Sequence, residues 1–260
     1  MPARRWCGLR AAVTAPARHR KPCGRGFAAS RAILIAACFG AASTPAAAQV
    51  GVVASAYTDL RFRGYSLSDG RPVGILDVSY DARNGIYAAA SGSIVATRHE
   101  GLKGLGLALN GGYATRLRPD LTLDLGVIHS RYSHYSGMAF GRSYSEVYAG
   151  LAGKLVGTRF SISPNYIGPA RWTLHGEING HVDVTHKLRL DASLGALVPL
   201  GNGAYQGGAR AQWDARLALV QRLGPVALHG AVTARGKAPD IYTGPGHGRT
   251  AVVLGISTAL

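Results

Sequence analysis

Residues 172–198 read WTLHGEINGHVDVTHKLRLDASLGALV, and their apolar and polar side chains alternate with a period of two. Trp172 and Leu174 share one face of this pattern. His175 and Glu177 share the other. Successive side chains of a β-strand point to opposite faces, so the alternation is typical of a strand with one apolar and one polar face. The stretch therefore predicts two successive amphipathic β-strands.

The same alternation continues on both sides of this stretch. No apolar run is long enough for a transmembrane helix, and no helical periodicity is sustained. The predicted strands are 50–64, 73–81, 85–97, 104–116, 120–132, 143–156, 157–167, 171–185, 186–198, 208–222, 225–236 and 249–260.

A soluble β-sandwich also alternates, but the lengths of the segments and of their connectors favour a membrane barrel. Most segments exceed the ~5–6 residues usual in globular proteins and match the roughly 9 to 11 residues of a tilted bilayer crossing. Outer-membrane barrels alternate long external loops with short periplasmic turns. The long connectors here are 65–72, 133–142, 199–207 and 237–248, and the tight turns include 82–84, 117–119 and 223–224.

Hydrocarbon offers the backbone no hydrogen-bond partner, so a sheet that faces lipid must pair every strand edge. The 36 glycines, many of them inside strand patterns, would relieve crowding on the inward face of a tilted barrel. We therefore predict an all-β fold, a transmembrane antiparallel up-and-down β-barrel of about 12 strands, within a range of about 10 to 14.

The N-terminal 48 residues have the pattern of a cleaved signal peptide. Eight basic residues and no acidic one lie within residues 1–31, an apolar run covers 32–42, and Ala46-Ala47-Ala48 follows. This order is typical of a secretory signal, and its apolar core is far shorter than the roughly 20 residues of a membrane anchor. We predict cleavage after Ala48 and one barrel domain over 49–260.

Cleavage would change both the charge and the thiol content of the chain. The formal net charge falls from +16 to +8, because the leader holds eight basic residues and no acid. The aromatics of the remainder follow strand spacing without basic interleaving, which disfavours nucleic-acid binding. Cys7, Cys23 and Cys38 all lie in the leader, so the exported part has no disulfide and no cysteine-based site.

Residues 55–70 read SAYTDLRFRGYSLSDG. This stretch resembles the opening signature of the TorF-type porins, the Gcw_chp family, which reads approximately S-D-Y-x-F-R-G-x-S-Q-S. Thr58-Asp59 and Phe62-Arg63-Gly64 match, whereas Leu60 and Leu67 stand where Tyr and Gln are usual. Looser resemblance to later blocks of the family covers Leu76–Tyr80, Gly85–Tyr87, Tyr144–Gly150 and His175–Gly180.

The resemblance implies a bacterial outer-membrane protein and a channel, without naming a solute. It also implies contact with outer-membrane lipid and lipopolysaccharide, and handling by the barrel-assembly machinery. One further departure is the C-terminus, because barrels of this type usually end in an aromatic residue and this chain ends in Leu260.

Arg61 and Arg63 lie two residues apart with Asp59 beside them, so on a strand all three point to the same side. Channels select ions with rings of charged side chains, and the pattern predicts a charged rung at the outer mouth that attracts anions. The alternative is a structural ion cluster that faces water.

Inward-facing charges along the other strands extend this candidate lumen. Cross-strand pairing would neutralise many of them and would even plug a narrow lumen. The predicted lumen-lining residues are Asp59, Arg61, Arg63, Asp124, Glu146, His175, Glu177, His181, Asp183, Arg189, Asp191, Arg210, Asp214 and Arg216.

The histidines and serines do not predict a metal site or an enzyme. A metal needs three or four ligands within about 2 Å, whereas His175 and His181 would lie roughly 20 Å apart on one strand, so they and His229 are expected to be water-facing lumen residues. Ser130 adjoins His129, but neighbours on a strand face opposite ways, so the pair cannot act as nucleophile and base. We expect no catalytic residue, metal or cofactor.

The sequence thus favours a passive channel for small hydrophilic solutes with a mild anion preference. Two alternatives stay open. One is a non-conducting structural or surface-interaction barrel that acts through loops such as 133–142 and 237–248, and the other, less favoured, is a membrane-embedded lipid-modifying enzyme.

Overall fold

The computed structural model describes residues 48–138, 143–168, 170–201, 211–236 and 248–260. The predicted signal peptide lies outside these ranges apart from Ala48, and so do Arg210 and all of the predicted loop 237–248 except Gly248. No helix in the described part of the chain is long and apolar enough to cross a membrane.

Strands account for most of the described residues. They are β1 (Gln49–Tyr57), β2 (Arg61–Phe62), β3 (Tyr65–Ser66), β4 (Val73–Asp81), β5 (Ile86–Thr97), β6 (Gly101–Arg118), β7 (Leu121–Tyr132), β8 (Ser143–Ala152), β9 (Val156–Ser163), β10 (Thr173–Asp183), β11 (Leu188–Pro199), β12 (Gln212–Leu223), β13 (Val226–Arg235) and β14 (Thr250–Ala259).

Twelve of these strands close into one antiparallel barrel, in which β1 neighbours β4 on one side and β14 on the other. Closure is made by pairing Val53 with Ala259 and Tyr57 with Gly255. Every barrel strand is therefore paired on both edges, as a sheet in hydrocarbon requires. The predicted all-β barrel and its strand number are confirmed.

The two faces of each strand follow the alternation in the sequence. On β7, Val127 is 55% exposed on the outer surface, whereas Asp124 is only 5% exposed and points inward. On β10, Leu174 and Ile178 are exposed on the outer surface, and His175 is buried inside. An apolar outer belt and a polar interior follow directly from the period of two.

The first predicted strand, 50–64, is too long, because β1 ends at Tyr57. The alternation that continues through Leu60 and Phe62 had placed both side chains on the outer face. Instead they pack against an apolar cluster inside the barrel. The pairing of Tyr57 with Val73 is the last pair between β1 and β4. Residues 58–72 therefore form a long connector between the two strands, and this connector folds inward.

Two further strand ends differ from the prediction for local reasons. β9 stops at Ser163, before Pro164, because proline has no N–H to give to the ladder. β6 begins at Gly101, within the predicted loop. Its pairing with β5 shifts in register between Ser93 and Ile94, and this irregularity accommodates one extra residue on β6.

Candidate functional site: the barrel lumen

Residues 58–72, called the plug segment below, enter the barrel from the end that carries the long loops. The hairpin of β2 and β3 turns at Arg63 and Gly64, whose φ angles are +50° and +78°. At Gly64 the backbone also passes close to the wall, because an added Cβ would lie 2.7 Å from the Cβ of Arg235. Glycine suits this position for both reasons.

Asp59 organises the plug segment from within. Its Oδ2 accepts a hydrogen bond from Nε of Arg61 at 2.7 Å, and its Oδ1 accepts one from the Ser68 hydroxyl at 2.8 Å. The Ser66 hydroxyl also donates to Oδ1, and the same hydroxyl accepts a hydrogen bond from the Gly70 amide at 2.8 Å. Asp59 and Arg61 therefore form the structural ion cluster of the alternative interpretation, but a buried one.

Arg63 points away from that cluster and pairs with Glu146 on β8. The side chains of both partners are almost completely buried. The guanidinium also lies 4.3 Å from the ring centre of Tyr166 and 4.9 Å from that of Phe62. Burial opposes the charge, but Glu146 and the tyrosines outweigh it and hold the pKa of Arg63 above its usual range. The predicted rung of Asp59, Arg61 and Arg63 at the mouth is wrong, because the three leave the strand together.

Apolar packing fixes the plug segment to the wall. Tyr65 and Leu67 are 0% and 2% exposed and pack with Tyr144 of β8 and Leu197 of β11. Tyr144 meets Tyr166 edge-on, with ring centres 4.9 Å apart. A leucine side chain such as that of Leu67, when fully buried, contributes ~1.5–3 kcal/mol. The plug segment is thus held firmly against the barrel wall.

Hydrogen bonds tie the plug segment to the surrounding loops and wall as well. Nη2 of Arg71 donates to the carbonyl of Tyr135 at 2.6 Å, and the Gly137 amide donates to the carbonyl of Leu67 at 3.0 Å. Nε2 of Gln212 donates to the carbonyl of Arg63 at 3.4 Å. The plug segment and the loop after β7 therefore narrow the outer mouth together.

A second network crosses the lumen nearer the turns. The Tyr87 hydroxyl donates to Oδ1 of Asp124 at 2.5 Å and contacts the Tyr148 hydroxyl. Tyr148 donates to Oδ1 of Asn110 at 3.1 Å. Nη2 of Arg159 pairs with Oδ2 of Asp124 at 3.1 Å, and its guanidinium lies 4.2 Å from the ring centre of Tyr148. This predicted lumen carboxylate is thus buried and neutralised.

The other predicted lumen residues in the described ranges belong to the inward faces of β8, β10, β11 and β12. His175 lies 3.5 Å from Asp214, and Nε of Arg189 donates to Asp183 at 2.8 Å. Arg210 lies outside the described residues. The register of these strands and the alternation of their side chains put the following residues on the inner face of the barrel: Glu146, His175, Glu177, His181, Asp183, Arg189, Asp191, Asp214 and Arg216.

Two of the three predicted lumen histidines are not the water-facing groups that the alternation suggested, whereas His181 is partly exposed. His175 and His229 are buried, and Nε2 of His229 lies 2.8 Å from the Ser257 hydroxyl. Among the described residues, no group of three or more His, Cys, Asp and Glu side chains is placed to hold a metal ion.

His129 finds hydroxyl partners across the sheet rather than along the chain. Its Nδ1 lies 3.0 Å from the hydroxyl of Ser145 and its Nε2 lies 3.3 Å from that of Ser143, all on the outer face of the barrel. Ser130 follows His129 in the sequence and faces inward, as expected for adjacent residues of a strand. The partners of His129 among the described residues are hydroxyl groups.

A cavity of about 80 Å³ lies between the plug segment and the wall from β4 to β8. Its polar lining comes from Asp77, Glu146, Ser91, Ser93 and Ser130. Its aromatic lining comes from Phe62, Tyr132 and Tyr144.

Sequence reasoning missed the tyrosines that fill the lumen. Tyr87, Tyr144 and Tyr148 all lie on inward faces, where the alternation alone places them. The signal that could have identified them is this inward position together with the phenol hydroxyls, which need partners when buried.

Comparison with known proteins agrees with this architecture. The sequence pattern of the Gcw_chp family, described as bacterial protein of unknown function, matches residues 40–245. No curated protein matches the sequence.

Among solved structures, the NanC porin is 13% identical, with a TM-score of 0.54 over 82% of this chain and 100% of that chain. The KdgM porin is 9% identical, with a TM-score of 0.49 over 81% of this chain and 99% of that chain. An outer membrane channel from Pseudomonas putida F1 is 14% identical, with a TM-score of 0.48 over 84% of this chain and 97% of that chain. The likeness to the NanC porin identifies the fold as that of an outer-membrane porin.

Proposed function

The chain belongs to the Gcw_chp family of bacterial proteins of unknown function, and we propose that it is an outer-membrane channel through which small hydrophilic solutes diffuse. The observation that carries the proposal is the division of the barrel into an apolar outer belt and a polar, charged interior. Water has no place in a barrel whose inward face is apolar, whereas inward charges and hydroxyls sustain a hydrated path.

The proposed location follows from the same division. Exposed Leu, Val and Ile side chains on all sides of a closed barrel need hydrocarbon around them. We propose export through the signal peptide of residues 1–48, insertion by the barrel-assembly machinery, and contact with lipid and lipopolysaccharide. Mass spectrometry of the protein from outer membranes would test this, with an N-terminus at Gln49 as the expected result.

The proposed mild anion preference would arise at the rims rather than deep in the lumen. Luminal charges largely pair, as in Arg159 with Asp124 and Arg63 with Glu146. Exposed basic residues surround both ends of the barrel and are Arg83, Arg118, Lys154, Lys187, Arg98, Arg131, Arg171 and Arg249. Rim charges raise the local anion concentration within a Debye length, which is about 10 Å at 0.1 M salt.

Planar-bilayer recording of the refolded barrel tests the proposal. We expect discrete conductance steps and, in a tenfold KCl gradient, a reversal potential of the sign given by chloride. The preference should weaken as ionic strength rises, because rim charges are screened. Electrical silence at high protein loading contradicts the channel.

The plug segment supports a second candidate function, a non-conducting barrel. Its buried ion pair and apolar contacts fill the outer mouth, and the Tyr87 network fills part of the lumen nearer the turns. Such a barrel would act through its external loops on surface partners. Silence of the intact chain combined with conduction after removal of the plug segment would favour this function.

A further inference from the structure

The cavity under the plug segment is lined by one carboxyl group that has no ion-pair partner among the described residues. Arg61 and Glu146 also line it, but Arg61 pairs with Asp59, and Glu146 pairs with Arg63. Asp77 of β4 has no ion-pair partner among the described residues. Its Oδ1 atom is buried, and no described group donates a hydrogen bond to it. A buried carboxylate oxygen without a partner is costly, and a bound cation would relieve that cost.

The rest of the lining suits an organic ammonium group. Ser91 lies directly opposite Asp77 on β5, and Ser93 and Ser130 add hydroxyls that accept hydrogen bonds from N–H groups. Phe62, Tyr132 and Tyr144 supply aromatic surface, which attracts ammonium ions more strongly than neutral groups.

Size limits the ligand further. A cavity of about 80 Å³ has room for roughly five water-sized groups. That matches an ammonium head group of a few non-hydrogen atoms.

We propose that this cavity is a binding site for a small primary ammonium group, with Asp77 as its counter-ion. The proposal deepens the proposed channel function and rests on solutes reaching the lumen. It is independent of the anion preference, because the basic rims act on ions in the mouths and Asp77 acts on a cation in direct contact.

Ethylammonium chloride is the probe, and calorimetric titration of the folded barrel in detergent is the measurement, so that no conductance is needed. We expect saturable binding to the intact barrel. Asp77→Asn should weaken it at least about tenfold, the equivalent of ~1.4 kcal/mol. Asp81→Asn is the matched control, because it removes an inward carboxylate from the same strand outside the cavity lining. It should change the affinity less than about twofold.

Asp77→Asn preserves the shape of the side chain and removes a buried charge, so we expect the variant to fold with an unchanged or higher Tm. Sodium chloride at equal ionic strength and ethanol serve as competitors. Displacement by sodium alone, equal binding of ethanol, or unchanged affinity in Asp77→Asn would each overturn the proposal. If the barrel binds ethylammonium but does not conduct, the channel function is contradicted and the binding site is retained. If the barrel conducts but does not bind ethylammonium, only the binding site is contradicted.

Discussion

The ion pair between Arg63 and Glu146 links the plug segment directly to the barrel wall. Both side chains are buried, at 0% and 4% exposure, and the guanidinium lies against two aromatic rings. Removing one partner leaves the other charge unpaired in a poorly hydrated interior.

We expect Glu146→Gln to lower the free energy of unfolding by ~3–5 kcal/mol, because Arg63 would lose its buried counter-ion. Urea titration of the barrel in lipid vesicles measures the change. Asp183→Asn is the matched control, since Asp183 is 44% exposed in its pair with Arg189 and should cost no more than ~1 kcal/mol. Equal losses in the two variants would contradict the buried role of Arg63.

Glycines beneath the luminal tyrosines define a second residue-scale constraint. A Cβ added at Gly112 would lie 2.4 Å from both the Tyr87 hydroxyl and the carbonyl of Leu125. At Gly92, by contrast, an added Cβ meets nothing within 4 Å.

Gly112→Ala should therefore destabilise the barrel by ~1–3 kcal/mol, since the ring and a backbone carbonyl must both shift. Gly92→Ala should be neutral or slightly stabilising, because alanine lowers the entropy of the unfolded chain. The two variants are compared by heating the folded barrels to a series of temperatures. The loss of the compact form is then followed on gels whose samples are not boiled before loading. The explanation fails if Gly92→Ala proves the more damaging of the two.

Among the elements, the plug segment is the one whose removal tests function without breaking the sheet. Tyr57 and Val73 pair directly, so a two-residue Asn-Gly turn has the geometry to replace residues 58–72 and close a β1–β4 hairpin. The barrel strands keep their register in such a variant.

We expect this turn variant to fold as a barrel and to conduct severalfold more current per opening than the intact chain, because the outer mouth loses its filling. Single-channel recording measures the difference. Replacing the exposed loop residues Arg98–Glu100 with another three-residue turn is the control and should change the conductance far less, because the filling of the outer mouth stays in place. Equal conductance with and without the plug segment would show that it does not restrict the path.

For the whole molecule, the test is whether the apolar belt faces hydrocarbon. Val127 lies at the middle of β7 and is 55% exposed, while Leu102 lies at the loop end of β6 and is 70% exposed.

Val127→Arg should destabilise the barrel in lipid by ~2–4 kcal/mol, because the charge would sit near the bilayer midplane. Leu102→Arg should cost ~0–1 kcal/mol at the interface, although it replaces the more exposed side chain. Refolding titrations into lipid vesicles compare the two. A larger loss for Leu102→Arg would mean that the belt is not centred on the strands.

Much of the barrel can be predicted from the sequence because one physical rule acts on each strand separately. A period of two assigns Leu174 and Val127 to the outside and Asp124 and His175 to the inside without reference to any neighbour. Closure then follows from the hydrogen-bonding needs of a sheet in lipid. Local chemistry also marks several ends, such as the stop before Pro164.

The interior could not be predicted in this way, because its contacts join residues far apart in the chain. The alternation continues past Tyr57, yet the chain turns inward there, since pairing of Tyr57 with Val73 is a long-range event. Whether Arg63 attracts solute ions or pairs with Glu146 depends on the path of the plug segment, which no local pattern encodes. The sequence alone therefore determines which side chains form the outer belt, because the alternation acts on each strand separately. The packing of side chains across the lumen is decided only by the tertiary structure, because it depends on all the strands being in place.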